Sequence, residues 1–289
     1  MSLISALGLG PREHIAIVGG GGKTSLCFAL AEELMQAGRR IITTTTTKVR
    51  HKEANRAPCV VFCPSGSAFH EDVKEGLKRE GHVFVAQRLL DSGKVEGVTR
   101  TMADSLFLDL QVDHVIIEAD GAAGKPVKAP AAHEPVIPSS ATMVIAVMGL
   151  EAMGRPFDSE IVFRPGLFGE ITGLEDGETI TPAALARVFQ SPNGLFKGAP
   201  DAARKVVFLN KLDLLAGDQG AKALAMLLLR DARAPVERVV MGSLLRKEYV
   251  GIEEFIGCLN NLCNLRNLRI GLRGSLKIGS YYERNNRDD

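Results

Sequence analysis

Short apolar runs recur along this chain, and most are followed by a stretch in which apolar residues return every third or fourth position. The runs predict strands at His14–Val18, Arg40–Thr44, Cys59–Cys63, His82–Val85, His114–Ala119, Met143–Val147, Lys205–Leu209 and Val236–Val240. The longer-period stretches predict helices at Lys23–Gln36, Ser67–Glu80, Arg100–Leu110, Pro182–Phe189, Gln219–Asp231 and Ile252–Leu262. Side chains alternate faces along a strand and return every 3.6 residues on a helix, so the two patterns separate. Strands that alternate with helices build crossover units and a mainly parallel sheet. Val115-Ile116-Ile117 and Val144-Ile145-Ala146-Val147 are apolar without alternation, as strands covered on both faces are. The expected fold class is therefore α/β, doubly wound around a mainly parallel sheet.

Three stretches break the rhythm. Phe84–Val98 suits a hairpin with Asp91-Ser92-Gly93 as its turn. Glu151–Thr181 is rich in Gly, Pro and charge and weakly periodic, so it reads as a long irregular insertion, a kind of segment that is often functional. Leu259, Leu262, Leu265 and Leu268 recur every three residues, which fits neither period. With the scattered Arg and Asn that follow, residues 263–289 are expected to form a poorly ordered tail.

Chemistry enters where the first strand meets the first long helix, in Ile15-Ala-Ile-Val-Gly-Gly-Gly-Gly-Lys-Thr-Ser25. Glycines without Cβ let backbone N–H groups close around phosphate oxygens, and the helix adds its N-terminal dipole. Gly19, Gly20, Gly21, Gly22, Lys23, Thr24 and Ser25 are the candidate phosphate-binding residues. Lys23 is placed to reach the outer phosphates and the Thr24 hydroxyl to hold Mg²⁺. The usual loop has a further glycine where Ile17 stands. The shorter Gly19-x-x-Gly22-Lys23-Thr24 is similar to the loop of Mur-type ligases. A plain turn is the alternative, but four consecutive glycines cost more backbone entropy than a turn requires. The domain expectation is one P-loop nucleotide-binding domain over 1–262, with the insertion at about 151–181.

Four further motifs line up behind the loop. His114-Val-Ile-Ile-Glu-Ala-Asp-Gly121 ends an apolar strand with two carboxylates at i and i+2, so Glu118 and Asp120 can face one metal ion or simply be solvated. Asn210-Lys211-Leu212-Asp213 resembles the guanine-reading motif of P-loop GTPases. There Asp213 accepts from the two guanine donors that adenine lacks, Asn210 braces the loop and Lys211 packs on the base. The alternative is a turn in which Asp213 caps a helix. Thr43–Thr47 and Lys48 follow the second strand, and Thr45, Thr46 or Lys48 could touch the terminal phosphate, the metal or a second substrate. A polar strand end explains them equally. Lys125 and Lys128 are candidate phosphate cations, His133-Glu134-Pro135 reads as a structural loop, and Arg155 and Arg164 as mobile or surface cations.

Composition narrows this picture without redirecting it. At 45% hydrophobic and 24% charged, the 289-residue chain has ample material for a globular core. A net charge of +1 supplies no field for nucleic acid or an acidic membrane, so neither is an expected partner. Met143–Leu150 is too short to cross a bilayer, and the first ten residues lack the basic start and long apolar core of a signal peptide. A cytoplasmic location is the resulting expectation. Five scattered cysteines do not read as a disulfide framework; Cys59 and Cys63, and Cys258 and Cys263, read as packing residues.

The loop, the threonine run, Glu118-Ala-Asp-Gly121, His133-Glu-Pro135 and Asn210-Lys-Leu-Asp213, in that order, resemble the selenium-dependent hydroxylase accessory protein YqeC family over roughly residues 5 to 255. The resemblance implies a bacterial P-loop protein that serves molybdenum hydroxylases with labile selenium, of the xanthine dehydrogenase type. Its implied place is in maturation of their molybdenum centre, with the client hydroxylase or its cofactor as partner. The expectation is an NTPase using Mg²⁺ and ATP or GTP, with Lys23, Glu118 and Asp120 as catalytic residues and Thr24, Glu118 and Asp120 around the metal. Its hydrolysis drives a conformational step or a cofactor handover. Two rivals remain open: a phosphotransferase or ATP-dependent ligase acting on a small acceptor, and a non-enzymatic nucleotide-bound scaffold.

Overall fold

All eight expected strands form, and a ninth joins them. The computed structural model describes residues 1–63, 69–108, 110–232 and 235–253. The main sheet contains β1 (Glu13–Gly19), β2 (Ile41–Thr45), β3 (Cys59–Phe62), β4 (His82–Ala86), β5 (His114–Glu118), β6 (Met143–Gly149), β7 (Arg204–Asn210), β8 (Arg238–Ser243) and β9 (Glu248–Glu253). Their order is β9-β8-β7-β6-β1-β5-β2-β4-β3. Every neighbouring pair is parallel except β8 with β9. The helices are α1 (Leu3–Leu7), α2 (Lys23–Gln36), α3 (His51–Ala54), α4 (His70–Glu80), α5 (Arg100–Leu108), α6 (Pro165–Thr172), α7 (Pro182–Gln190) and α8 (Gln219–Leu229).

Helices cover both faces, which makes the fold doubly wound. Ile15 and Ile17 of β1 pack with Ile116, Ile145 and Phe208 under α1 and α2. Ala16 and Val18 turn the other way, to a core shared with α6, α7 and α8. β2, β4 and β5 pack a further cluster against α4 and α5. Strands buried on both faces need apolar residues at every position, hence the unbroken runs.

The chain leaves β1 for β2, β3 and β4, returns to β5 beside β1, and then crosses to β6, β7 and β8. Strand order thus reverses around β1, the place where sheets of this kind bind ligands at their carboxyl ends. Register decides which residues meet there. Glu118 is level with Ile17 of β1 and with Thr45 of β2. Gly19 is level with Val147, and Gly149 with Asn210.

Some expectations change. The region around 151–181 is not wholly irregular: it holds α6, and Val162–Phe163 pairs with Val127–Lys128. Two glycines inside α6 weaken its periodicity, while Pro165 starts it, Phe168 anchors it and Gly173 in the left-handed region ends it. The expected hairpin forms from Arg88–Leu89 and Lys94–Glu96, with Lys48–Arg50 as a third strand, while Phe84 and Val85 lie in β4. Ile252 begins no helix; it lies in β9, which Lys247 (φ 55°) folds back onto β8. The rest of that expected helix, Cys258, Cys263, the domain end at 262 and the expected tail all lie outside the described residues. Among the described residues, no helix is long and apolar enough to cross a membrane.

Candidate functional site

The glycine run divides into two parts. Gly19, Gly21 and Gly22 have φ of 99°, 73° and 132°, in the left-handed region that favours glycine. A Cβ on Gly19 would stand 2.2 Å from the Val147 carbonyl oxygen, and one on Gly21 2.2 Å from the Gly149 nitrogen. The first three glycines therefore allow backbone to press on backbone. Their amides are used within the protein. Gly20 N–H donates to the Val147 carbonyl and Gly21 N–H to the Lys125 carbonyl, each at 3.0 Å. Gly19 N–H donates to the Asp120 carboxylate at 3.0 Å.

The second part is open. Among the described residues, the N–H groups of Gly22, Lys23, Thr24 and Ser25 have no protein acceptor. They stand at the start of the 14-residue α2, whose dipole adds positive potential. Ser25 is exposed, and Gly22 and Thr24 are half-buried. Four open amides at a helix start can cradle an anion, a narrower set than one using every glycine.

Lys23, Glu118 and Asp120 converge behind it. Lys23 Nζ donates to the Gly19 carbonyl at 2.7 Å and lies 3.3 Å from Asp120 and 3.6 Å from Glu118. The Thr24 hydroxyl donates to Glu118 Oε2 at 2.8 Å. Burial pushes the Glu118 carboxyl above its ordinary range, against the opposing pull of Lys23 and Thr24. The two acids sit differently. Glu118 faces the Thr24 hydroxyl, whereas Asp120 is fully buried between Gly19 N–H, Lys23 and, at 3.0 Å, Lys128. Thr24 and Glu118 present the oxygen donors a hard cation takes, and these would fit Mg²⁺. Among the described residues, no three His, Cys, Asp or Glu side chains gather as a cation cage.

A buried ion network extends from Asp120. Lys128 Nζ also donates to Glu134 Oε2 and to the Gly121 carbonyl, both at 2.6 Å. Arg164 forks onto both oxygens of Glu134, at 3.0 Å for the longer bond. Burial alone would raise the Glu134 carboxyl, but Arg164 and Lys128 outweigh it and hold the group down to about 2. Lys128 and Arg164 are thus paired side chains and not spare cations for phosphate, because buried carboxylates already hold them. Sequence reasoning missed this network. The sequence offers only two acids and two cations spread over residues 120–164, with no spacing that pairs them.

The threonine run mostly ties strands together. Thr43 contacts His82 Nε2 at 2.8 Å, Thr44 donates to the Val85 carbonyl at 2.6 Å, and Thr45 to the Glu118 carbonyl at 2.9 Å. Thr46 donates to the Val136 carbonyl at 3.1 Å, and Lys48 is exposed. At the carboxyl end of β7, Asn210 is buried; its amide donates to the Gly21 carbonyl at 2.8 Å and its oxygen accepts the Leu244 N–H at 3.2 Å. Lys211, at φ 66°, pairs with Glu151, and Asp213 lies 3.9 Å from Arg246. Asn210 therefore reaches the glycine loop directly, while Lys211 and Asp213 pair with Glu151 and Arg246.

A protein-family model described as YqeC protein matches residues 15–166. That range holds the loop, the threonine run, both acids of the 118–120 motif, Glu134 and Arg164; Asn210–Asp213 lie beyond it. The chain is 40% identical over 198 residues to the uncharacterized protein YqeC of Escherichia coli (strain K12), covering 68% of this chain and 75% of that one. Similar solved structures include chloroplast FtsY from Physcomitrella patens, at TM-score 0.36 and 14% identity, over 81% of this chain and 60% of that one. Another is the signal recognition particle receptor FtsY from Elizabethkingia anophelis, at TM-score 0.35 and 14% identity, over 79% and 57%. A third is the signal recognition particle 54 kDa protein from Aeropyrum pernix K1 in complex with GDP, at TM-score 0.35 and 14% identity, over 81% and 42%. The chain thus spans less than two thirds of each of these three proteins.

Proposed function

This chain belongs to the YqeC family, and from that premise together with the geometry of its glycine loop we propose that it binds a nucleoside triphosphate with Mg²⁺ and hydrolyses it. One observation carries the reading: four unpaired amides at the start of α2 stand beside the Thr24–Glu118 contact. The amides of residues 22–25 take phosphate oxygens. Lys23 leaves the Gly19 carbonyl for the outer phosphates and screens the charge that develops between them. Thr24 and Glu118 would hold Mg²⁺, which would supply further charge screening. Asp120 keeps Gly19 N–H in place, acting on the loop and not on the metal. Rate enhancement then rests on positioning and preorganised charge. Asn210 fixes the loop, and Asp213 is the residue proposed to read guanine over adenine. The family resemblance supports a role for this nucleotide cycle in maturation of selenium-dependent molybdenum hydroxylases, as the driver of a handover to the client.

The test is calorimetric titration of the full chain with ATP and GTP, with and without Mg²⁺, alongside a phosphate-release assay. Lys23→Gln is expected to lower triphosphate affinity roughly 10- to 100-fold, the worth of a charge-assisted hydrogen bond. Asp213→Ala is expected to weaken GTP far more than ATP; equal small losses remove the base-reading role. A folded wild-type chain that ignores both nucleotides at millimolar concentration overturns the proposal. Retained nucleotide without turnover selects the scaffold.

A further inference from the structure

A second cleft, of about 290 Å³, opens beside the carboxyl end of β2, with Thr47, Lys48, Gln87, Glu96, Thr99 and Arg100 among its polar lining. Its floor is firmly built. Gly97 N–H donates to the Thr47 carbonyl and Val98 N–H to the Thr45 carbonyl, both at 2.8 Å. Gly97 packs so closely that a Cβ there would stand 2.2 Å from the Thr45 carbonyl oxygen.

Its charges are unbalanced. Lys48 and Glu96 are register partners across the small sheet, yet Glu96 is taken by Arg88 at 2.6 Å. Among the described residues, neither Lys48 nor Arg100 forms an ion pair with a carboxylate. Lys48 and Arg100 thus line the cleft beside one carboxylate, Glu96, which Arg88 already holds.

The cleft also borders the nucleotide site. Thr46 N–H donates to the Glu118 carbonyl at 3.1 Å, and the carboxylate of the same residue accepts the Thr24 hydroxyl. A single residue therefore separates the cleft wall from the metal-binding hydroxyl of the loop.

We infer that this cleft binds a small oxyanion-bearing molecule, a second ligand held next to the terminal phosphate, with Lys48 and Arg100 as its cations. The volume suits a ligand at the small end of the usual range. The inference takes its neighbour from the nucleotide reading, while binding in the cleft stands independently of it.

Two-dimensional NMR titration of the full chain with inorganic phosphate, and separately with succinate, tests it. At millimolar probe, amides of residues 46–48 and 97–100 are expected to shift. The double variant Lys48→Ser with Arg100→Ser, on exposed positions and verified by an unchanged unfolding temperature, should weaken that binding about tenfold or more, as loss of two charge contacts does. Lys23→Gln should leave it intact. A stronger response to succinate assigns a carboxylate ligand and a stronger response to phosphate a phosphorylated one; both support the site. Unchanged binding in the double variant, or shifts confined to residues 22–25, overturns it. If nucleotide fails to bind while the 46–48 and 97–100 shifts persist, the nucleotide reading falls and the cleft stands.

Discussion

Asn210 holds together two loops that lie far apart in sequence, with its amide on Gly21 and its oxygen on Leu244 N–H. Alanine there leaves a buried carbonyl and an amide without partners, so Asn210→Ala should lower stability by about 1–3 kcal/mol in urea unfolding. Triphosphate affinity should fall with it, because the Gly21 carbonyl is released. The Asn-Lys-x-Asp pattern was legible as a motif, but sequence spacing cannot say which backbone group the amide will meet. The glycine run was equally legible. That Gly19, Gly20 and Gly21 serve internal packing and leave only the later amides free depends on Val147, Lys125 and Asp120, residues more than a hundred positions away.

The two-residue strand Val127–Lys128 joins the loop to the segment once expected to be irregular. Lys128 is fully buried between Asp120 and Glu134, and Arg164 at the start of α6 closes the chain of charges. Removing one partner of a buried ion network leaves a charge uncompensated in low dielectric. Lys128→Met should therefore cost about 3–5 kcal/mol by thermal or urea unfolding, and adding Glu134→Gln should recover part of the loss. Failure of the second change to recover any stability would place the cost in packing. Helices α2, α4, α5, α7 and α8 were readable from periodicity, whereas α1 and α6 were not. Five residues in α1 and two glycines in α6 give too few apolar repeats, and tertiary packing with caps decides both.

Across the whole molecule, buried titratable groups set the response to acid. Burial lowers His14 and His82 from 6.5 to about 4. As pH falls through that window the unfolded chain takes protons that the folded one refuses, so stability drops. Glu134, held at about 2 from 4.5, contributes stability above 4.5 that disappears as pH falls toward 2. The unfolding temperature should decline from pH 7 to 4 and again below 4.5, each unit of separation being worth roughly 1.4 kcal/mol before solvent screening. His82→Phe should flatten the upper part of the curve and Glu134→Gln the lower. A curve flat from pH 7 to 4 would mean that both histidines are protonated in the folded state.

By itself the sequence determined the alternation of strands and helices, the parallel doubly wound class and the location of the glycine loop. Hydrophobic period and glycine freedom are local properties of the chain, written in neighbouring residues. Tertiary structure alone decided the register that sets Gly19, Thr45, Glu118 and Asn210 on one sheet edge. It also decided which lysines and arginines are neutralised and which amides remain open. Those outcomes depend on distance in space between residues remote in sequence, and charge pairing and hydrogen-bond saturation exist only once that distance is set.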